Sequence, residues 1–405
     1  MLSINRLYFV IFLLMLLAGM YFNHVVTAFS FVDELLSWLL VGVALLVAVA
    51  KNLYSRFKQL WVLLAISGFY LFYSITVTQY NTTTAAISDL IVELKPYVAF
   101  FVTLAIAPQF TPKQKTWLRY ISMALLLLML MLFLIPGDFW EIVYFHPAYL
   151  GINSIILSMI YYYCSEGSKR DKIITIMMLS MGFCGARSKF YGFFVVALFM
   201  LFIFKREMLS RVKIKYIIGG IFIILLMLLV AWHKINYYFI AGGEFSTDEI
   251  SDSMARAALY VYTPEILADH PFFGTGFASY GTYFSAHPYS SLYGLYEMDK
   301  IWGLSEAKPD FVADTYYPVM VQFGYVGVLL FILFVRSVFK RIKRLSKSFE
   351  LSDKNIHIAT LCMIFVLIEN IASAVFTQGG GIVAIMLCAI ALGDVVKQKE
   401  LEYAN

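Results

Sequence analysis

Charged residues are scarce in this 405-residue chain: Asp, Glu, Lys and Arg make up 14% of it, whereas hydrophobic residues make up 61%. Mean hydropathy is accordingly high, at +0.78. A soluble globular domain usually has about 25% charged residues, so this composition excludes that class. The sequence therefore predicts an all-α polytopic integral membrane protein.

Cysteine is also rare, and the four present form no CxxC pair and no metal-ligand spacing. Because disulfides and zinc sites need such spacings, neither is expected. The sequence has no Walker motif, no GxGxxG and no HExxH, so it offers no pattern for a nucleotide or a catalytic metal. We expect no cofactor and no bound metal. The cysteines are Cys164, Cys184, Cys362 and Cys388.

Long apolar runs predict helices, because a membrane barrel would show short segments of alternating polarity. The first run has no small-residue cleavage site after it, so we expect an uncleaved span and not a signal peptide. About twelve spans are predicted, near 6–22, 35–50, 60–79, 86–107, 117–135, 147–164, 173–186, 189–204, 216–240, 315–335, 356–376 and 380–395.

Most of the 31 Lys and Arg residues fall in alternate loops. The positive-inside rule then predicts that both termini are cytoplasmic. The net charge of +5 reflects this topology and the attraction of basic loops to anionic lipids, not nucleic-acid binding. The predicted organisation is nine spans in 1–240, a large outer loop in 241–314, and three spans with a cytoplasmic tail in 315–405.

The remaining cations lie outside the predicted spans or toward their outer ends. Asp89, Glu93 and Glu369 show the same bias. A charge within the bilayer costs about 2.5 kcal/mol or more, so these groups need pairing, an interface or a ligand. Snorkelling and structural ion pairs are the alternatives to a binding role. The cations are Lys95, Arg187, Lys189, Lys234, Arg256, Lys300 and Lys308.

Arg187 and Lys189 occupy a very short outer turn, GARSK. The segment 172–204 must cross the membrane twice with about 33 residues. These supply roughly 50 Å of helix, whereas two crossings of the hydrocarbon core need about 60 Å. The turn is therefore predicted to lie in a recess below the outer headgroups.

The outer loop 241–314 is long for a compact protein, which favours a functional role, and its many aromatic residues argue against disorder. We predict one or two short helices over 251–277, broken or restarted at Pro264. Arg256 lies off the apolar stripe of that helix and is expected to enter the same recess as Arg187. An ordinary solvated arginine is the alternative.

Three motifs occur in a distinctive order: GARSK, then HPFFGTG, then ADTYYPVMVQFGYVG. Together with the span layout, they resemble the O-antigen polymerase and O-antigen ligase family, the Wzy-type polymerases and WaaL-type ligases. The resemblance implies a GT-C-like fold in the bacterial inner membrane, with a periplasmic active site. It also implies metal-independent transfer of glycan from undecaprenyl diphosphate to an acceptor sugar hydroxyl. Arg187 and Arg256 correspond to the arginines that hold the diphosphate.

Guanidinium groups suit that role, because they bind a departing diphosphate more strongly as its charge grows. Lys189 is expected to add a third contact. Asp314, beside Tyr316, is the first candidate for the base that deprotonates the acceptor hydroxyl, although it can equally cap a helix with Thr315. The further candidates for base or substrate contact are His146, His287, Glu369 and Lys95.

One departure separates the chain from the ligases, whose His-Asn pair stands eleven and ten residues before the glycine aligned with Gly324. Here those positions are Ala313 and Asp314. The ligase histidine is missing, which favours a polymerase of O-antigen, capsule or exopolysaccharide. The outer-loop aromatics then serve glycan recognition, packing on the bundle, or both.

A transporter or flippase is the alternative from another class, and Lys95-Pro96 is typical of a kinked span. No internal repeat is visible, however, and the charges gather toward one side. The partners expected for a polymerase are a lipid-linked oligosaccharide, membrane lipid, a chain-length regulator and a flippase.

Overall fold

A computed structural model describes residues 4–206 except 138 and 145, residues 247–402 except 349, and four isolated positions between them. The predicted ninth span, 216–240, and Lys234 therefore lie outside the described residues. The described chain folds as a bundle of helices in which five helices are long and apolar enough to cross a membrane. The molecule is a membrane protein. The five segments are Ile4–Tyr21, Val32–Lys51, Tyr54–Thr78, Pro112–Leu134 and Tyr317–Lys347.

We number the described helices in chain order. The first nine are α1 Ile4–Leu14, α2 Val32–Lys51, α3 Lys58–Tyr73, α4 Thr83–Ile106, α5 Pro112–Leu134, α6 Phe139–Tyr144, α7 Pro147–Cys164, α8 Lys169–Ser180 and α9 Ser188–Leu198. The others are α10 Thr247–Asp269, α11 Tyr283–Ala286, α12 Leu292–Leu295, α13 Gly324–Lys347, α14 Asp353–Glu369 and α15 Gly379–Glu402. Single π-helical turns extend α1, α3 and α9.

Several helices begin two to five residues before the predicted spans, because each opens with a polar first turn that hydropathy does not register. Thr111 and Gln114 form a capping box at the start of α5, with Pro112 in the first turn. Ser168 and Asp171 form another at α8. Thr82 caps α4.

The core lies around α15, which is buried throughout residues 379–393. Helices α4, α7 and α14 pack against it. The α4 helix differs from the five long apolar helices, because it carries Asp89, Glu93 and Lys95, all of which are buried. Intramembrane charge of this kind usually marks a functional site.

The predicted span 315–335 lies largely within the long apolar segment Tyr317–Lys347, but its first part is not a regular α-helix. Residues Tyr317–Phe323 form a 3-10 segment, and a regular helix begins only at Gly324. The backbone of 321–326 pairs instead with 271–276 of the outer loop: Thr275 N donates to Val321 O at 3.2 Å, and Tyr325 N to Pro271 O at 2.8 Å. Gly324 has φ +61, and a Cβ there would lie 2.5 Å from Gly274 N. The close approach of two chain segments therefore displaces the helix.

The predicted break at Pro264 was also wrong, because α10 runs without interruption from Thr247 to Asp269. A proline removes one intrahelical hydrogen bond, which packing on both sides can offset. Leu259 and Ile266 are fully buried in a hydrophobic cluster formed mainly by the loop itself. The loop is thus a packed cap whose helix continues through the proline.

Candidate functional site

The site lies at the end of the bundle where His146, Arg187 and residues 370–378 meet the cap, which we call the loop end. It is the end that the sequence predicts to be periplasmic. The turn 185–187 is pressed onto the start of α7, since a Cβ on Gly185 would lie 2.5 Å from Pro147 O. Ala186 takes a left-handed conformation, with φ +46. This close turn directs Arg187 toward the residue that precedes α7.

That residue is His146. Arg187 Nη2 lies 2.8 Å from His146 Nε2. The other ring nitrogen, Nδ1, faces the backbone N–H of Ala148 at 3.2 Å and caps α7. A neutral imidazole accepts at only one nitrogen, so these two donors compete for one acceptor. The contact between Arg187 and His146 is therefore readily exchanged for a better acceptor.

Lys189 is the second residue of α9, and its ammonium is fully engaged. Its Nζ contacts Glu369 Oε2 at 2.7 Å, Ala372 O at 3.1 Å and Ser373 Oγ at 3.1 Å. The Glu369 residue is 5% exposed. A buried carboxylate needs such a partner, so the pair joins α9 to the end of α14.

Arg256 comes from the cap helix α10 and forms an ion pair with Asp314. The guanidinium also lies 5.5 Å from the ring centroid of Phe311. The 3-10 segment that follows Asp314 is preceded directly by Tyr316, which provides no side-chain cap. The sequence thus left two roles open for Asp314, and the structure adds a third, that of orienting Arg256.

The electrostatics of His146 show that these groups share one region. Burial, and after it the charges of Arg187, Arg256 and Lys189, lower the pKa of His146 to about 4. The imidazole is therefore neutral at physiological pH. We call His146, Arg187, Lys189 and Arg256 the cationic cluster. Its two arginines come from the bundle and from the cap.

The other predicted site residues lie elsewhere. Tyr316 is fully buried, with its hydroxyl 3.4 Å from that of Tyr97, and lines an apolar cavity of about 570 Å³ on the far side of α4. His287 is exposed at the end of α11, with its ring against Tyr283. Lys95 is 2% exposed and pairs with Asp33 at 2.7 Å and with Glu34. The structure therefore groups Glu369 and Asp314 with the cationic cluster, but not Tyr316, His287 or Lys95.

Lys95 belongs to a second feature that sequence reasoning missed, a cavity of about 710 Å³ next to the cationic cluster. Asp33, Glu34, Asp89 and Glu93 line it, and we call it the acidic cavity. Its wall includes Ala313, the neighbour of Asp314, and Tyr149, three residues after His146. The sequence did contain a signal for this cavity. Asp33 and Glu34 lie at the start of the second helix, and Asp89 and Glu93 lie near the start of the fourth, at the same end of the bundle.

Among the described residues, no group of three or more His, Cys, Asp or Glu side chains is arranged to hold a metal ion. The four cysteines are unpaired as thiols. No protein-family model, no curated protein and no solved structure matches this chain.

Proposed function

We propose that this protein is a membrane glycosyltransferase that extends a bacterial surface polysaccharide, with undecaprenyl diphosphate as the carrier of the transferred glycan. The observation that supports the proposal is the cationic cluster, in which the Arg187 guanidinium contacts a neutral imidazole that also lies in the field of Arg256 and Lys189. A diphosphate is the ligand class that such a group of donors favours.

In the proposed reaction, the acceptor hydroxyl oxygen forms a bond to the anomeric carbon of the donor sugar. The bond from that carbon to the diphosphate oxygen breaks, and its electron pair leaves with the diphosphate. Arg187 and Arg256 stabilise the charge that develops there. The hydroxyl proton passes to a base of the protein. Stabilisation by preorganised donors is usually the largest single contribution to such catalysis.

We assign the base to Asp314 through an exchange of partners. In the structure Asp314 pairs with Arg256, which holds the carboxylate in its charged form. An arriving diphosphate competes for the same guanidinium, and its binding releases the carboxylate to accept a proton. His146 plays the corresponding part for Arg187, because its ring accepts only one of the two donors that face it.

A ligase is the second candidate within the same chemistry, although the histidine expected of a ligase is replaced by Ala313. A transporter or flippase is the candidate from another class, favoured by the buried ionisable residues of α4. The three functions differ in what accumulates when the protein is absent.

The experiment is deletion of the gene, followed by gel analysis of surface polysaccharide and of lipid-linked oligosaccharides. A polymerase predicts that the ladder collapses to single repeat units while these units still reach the carrier. Restoration by wild type and by Glu306→Gln, which alters an exposed cap residue, but not by Arg256→Ala, is expected. Loss of all lipid A-linked glycan with long polymer retained on the carrier identifies a ligase. Repeat units trapped on the cytoplasmic face identify a flippase.

A further inference from the structure

The acidic cavity is lined by more acidic than basic residues, which is unusual for a membrane interior. Four carboxyl groups line it, from Asp33 and Glu34 on α2 and from Asp89 and Glu93 on α4. Lys95 is the one Lys or Arg residue in its described lining, and its ammonium is already committed to Asp33 and Glu34. The acids of α4 therefore depend on other donors.

The carboxyl groups of α4 accept few hydrogen bonds. Asp89 Oδ2 accepts the backbone N–H of Ala278 at 2.7 Å. Glu93 is 4% exposed, and its Oε2 atom accepts no hydrogen bond from the described residues. Three further atoms of lining residues, Asn23 Oδ1, Glu34 Oε2 and Asp89 Oδ1, are buried in the same condition. Buried acceptors without donors are rare in folded proteins, so four on residues that line one cavity point to a ligand rich in donors.

Aromatic rings complete the lining. Tyr149 lies at the mouth, with its ring 4.5 Å from that of His24. Phe31, Tyr283 and Phe284 also line the cavity, and the Tyr283 ring is 61% exposed at the rim. Oxygen acceptors combined with aromatic faces suit a sugar, whose hydroxyls donate while its ring carbons pack on aromatic rings. The volume of about 710 Å³ is within the range of small-molecule sites.

We propose that the acidic cavity binds the acceptor sugar and selects uncharged or amino sugars against acidic ones. This inference rests on the proposed function, since it supplies the second substrate of that reaction. The cavity wall at Ala313 adjoins the Asp314–Arg256 pair, so a sugar bound there presents a hydroxyl next to the proposed base. Acidic sugars are rejected because their carboxylates meet a lining rich in carboxyl oxygens, whose one ammonium is already engaged.

The probe is the neutral oligosaccharide repeat of the host's own polymer, compared with the same oligosaccharide after oxidation of its primary hydroxyls to carboxylates. Binding to the purified full-length protein in detergent is measured by calorimetry. We expect the oxidised probe to bind at least tenfold more weakly than the neutral one. Equal binding of the two probes overturns the proposed selection against acidic sugars. Tighter binding of the oxidised probe shows that the cavity prefers acidic sugars, which also overturns it.

Glu93→Gln is nearly isosteric, and it should weaken the neutral probe several-fold while narrowing the difference between the two probes. Tyr283→Ala, at the exposed rim, tests the same site without altering a buried charge and should also lose affinity several-fold. Glu306→Gln is the matched control, because Glu306 is an exposed cap residue outside the cavity. Unchanged sugar binding in both cavity variants overturns the inference.

A second titration with farnesyl diphosphate separates this inference from the proposed function. Glu93→Gln should bind it as wild type does, whereas Arg187→Ala should lose it and retain the neutral sugar. If diphosphate binding is intact but the cavity variants bind sugar as wild type does, the acceptor-site inference alone is overturned. Absence of diphosphate binding in wild type defeats the proposed function. If Glu93→Gln changes the response of the protein to Na⁺ or pH but leaves sugar binding unchanged, the ligand of the cavity is a transported cation and not a sugar.

Discussion

The cationic cluster and the acidic cavity lie side by side at the loop end, yet they hold their charges in opposite ways. The cluster gathers residues from helix ends and the cap, and its ion-paired cations, Lys189 and Arg256, are 20% and 26% exposed. The cavity gathers residues from helices that pack on each other, and Asp89, Glu93 and Lys95 are almost completely buried. Charges at flexible ends can exchange partners, whereas charges within packed helices must be satisfied in place. The first arrangement suits a leaving group, and the second suits a bound substrate.

The largest expected effect is on the cavity. Lys95→Met removes the ammonium from Asp33, which is buried, and from Glu34, which is partly buried. Breaking a buried pair in this way costs about 3 kcal/mol of unfolding free energy or more. Unfolding by denaturant in detergent measures the loss.

The matched control is Lys300→Met, which breaks an exposed pair with Glu297 at 2.9 Å. We expect little change there, because exposed pairs contribute little. If both variants are equally stable, the buried pair of the cavity is held no more strongly than an exposed pair.

The next effect is on the cluster. Arg187→Ala and Arg256→Ala should each lower turnover by about 10²–10³-fold, the usual consequence of removing one preorganised donor from a developing charge. Turnover is measured with purified protein and lipid-linked repeat units. Lys replacements should recover only part of the activity, because an ammonium lacks the planar fork of a guanidinium. Full activity in the Lys variants would show that charge alone suffices.

A smaller effect is expected where the cap joins the bundle, on which both regions depend. Gly274 has φ +70, and a Cβ there would collide with Val321 O. Gly274→Ala should therefore destabilise the protein by about 2 kcal/mol and weaken diphosphate and sugar binding together. Gly294→Ala is the control, since nothing lies within 4 Å of its Cβ position. Loss of only one binding activity would show that the two regions are seated independently.

The smallest effect concerns pH. The pKa of His146 is lowered from 6.5 to about 4, so the unfolded chain binds its proton first as the pH falls. The stability associated with the neutral ring is present above pH 6.5 and is lost as the pH falls toward 4. His146→Gln should therefore flatten the dependence of the melting temperature on pH between 6.5 and 4.

Much of the fold was predictable because its causes are local. Hydropathy located the starts of α1–α5, α7–α9, α14 and α15 to within about five residues, and the errors have identifiable sources. Polar capping turns lengthened the starts of α4, α5 and α8. The segment 317–323 was apolar enough to read as helix, but the cap competes for its backbone through Gly274 and Gly324. No sequence pattern within either segment shows that the two meet.

The site was only partly predictable. The sidedness of the cations was enough to single out Arg187, Lys189 and Arg256, because a charge near the bilayer needs a reason wherever it lies. The partners were not predictable: Lys189, expected to contact the substrate, pairs with Glu369, and Asp314, expected to be the base or a helix cap, pairs with Arg256. The acidic cavity was missed because its acids come from two helices whose contact the sequence does not reveal.

Composition and hydropathy, read along the chain, thus determined by themselves that this is a helical membrane protein with charge gathered at one side. Tertiary structure alone decided which charges meet. Arg256 and Asp314 are 58 positions apart, Lys95 and Asp33 are 62 apart, and Lys189 and Glu369 are 180 apart. Helix formation is governed by neighbours within a few residues, whereas a buried charge is stabilised by whichever group the packing of distant helices places beside it.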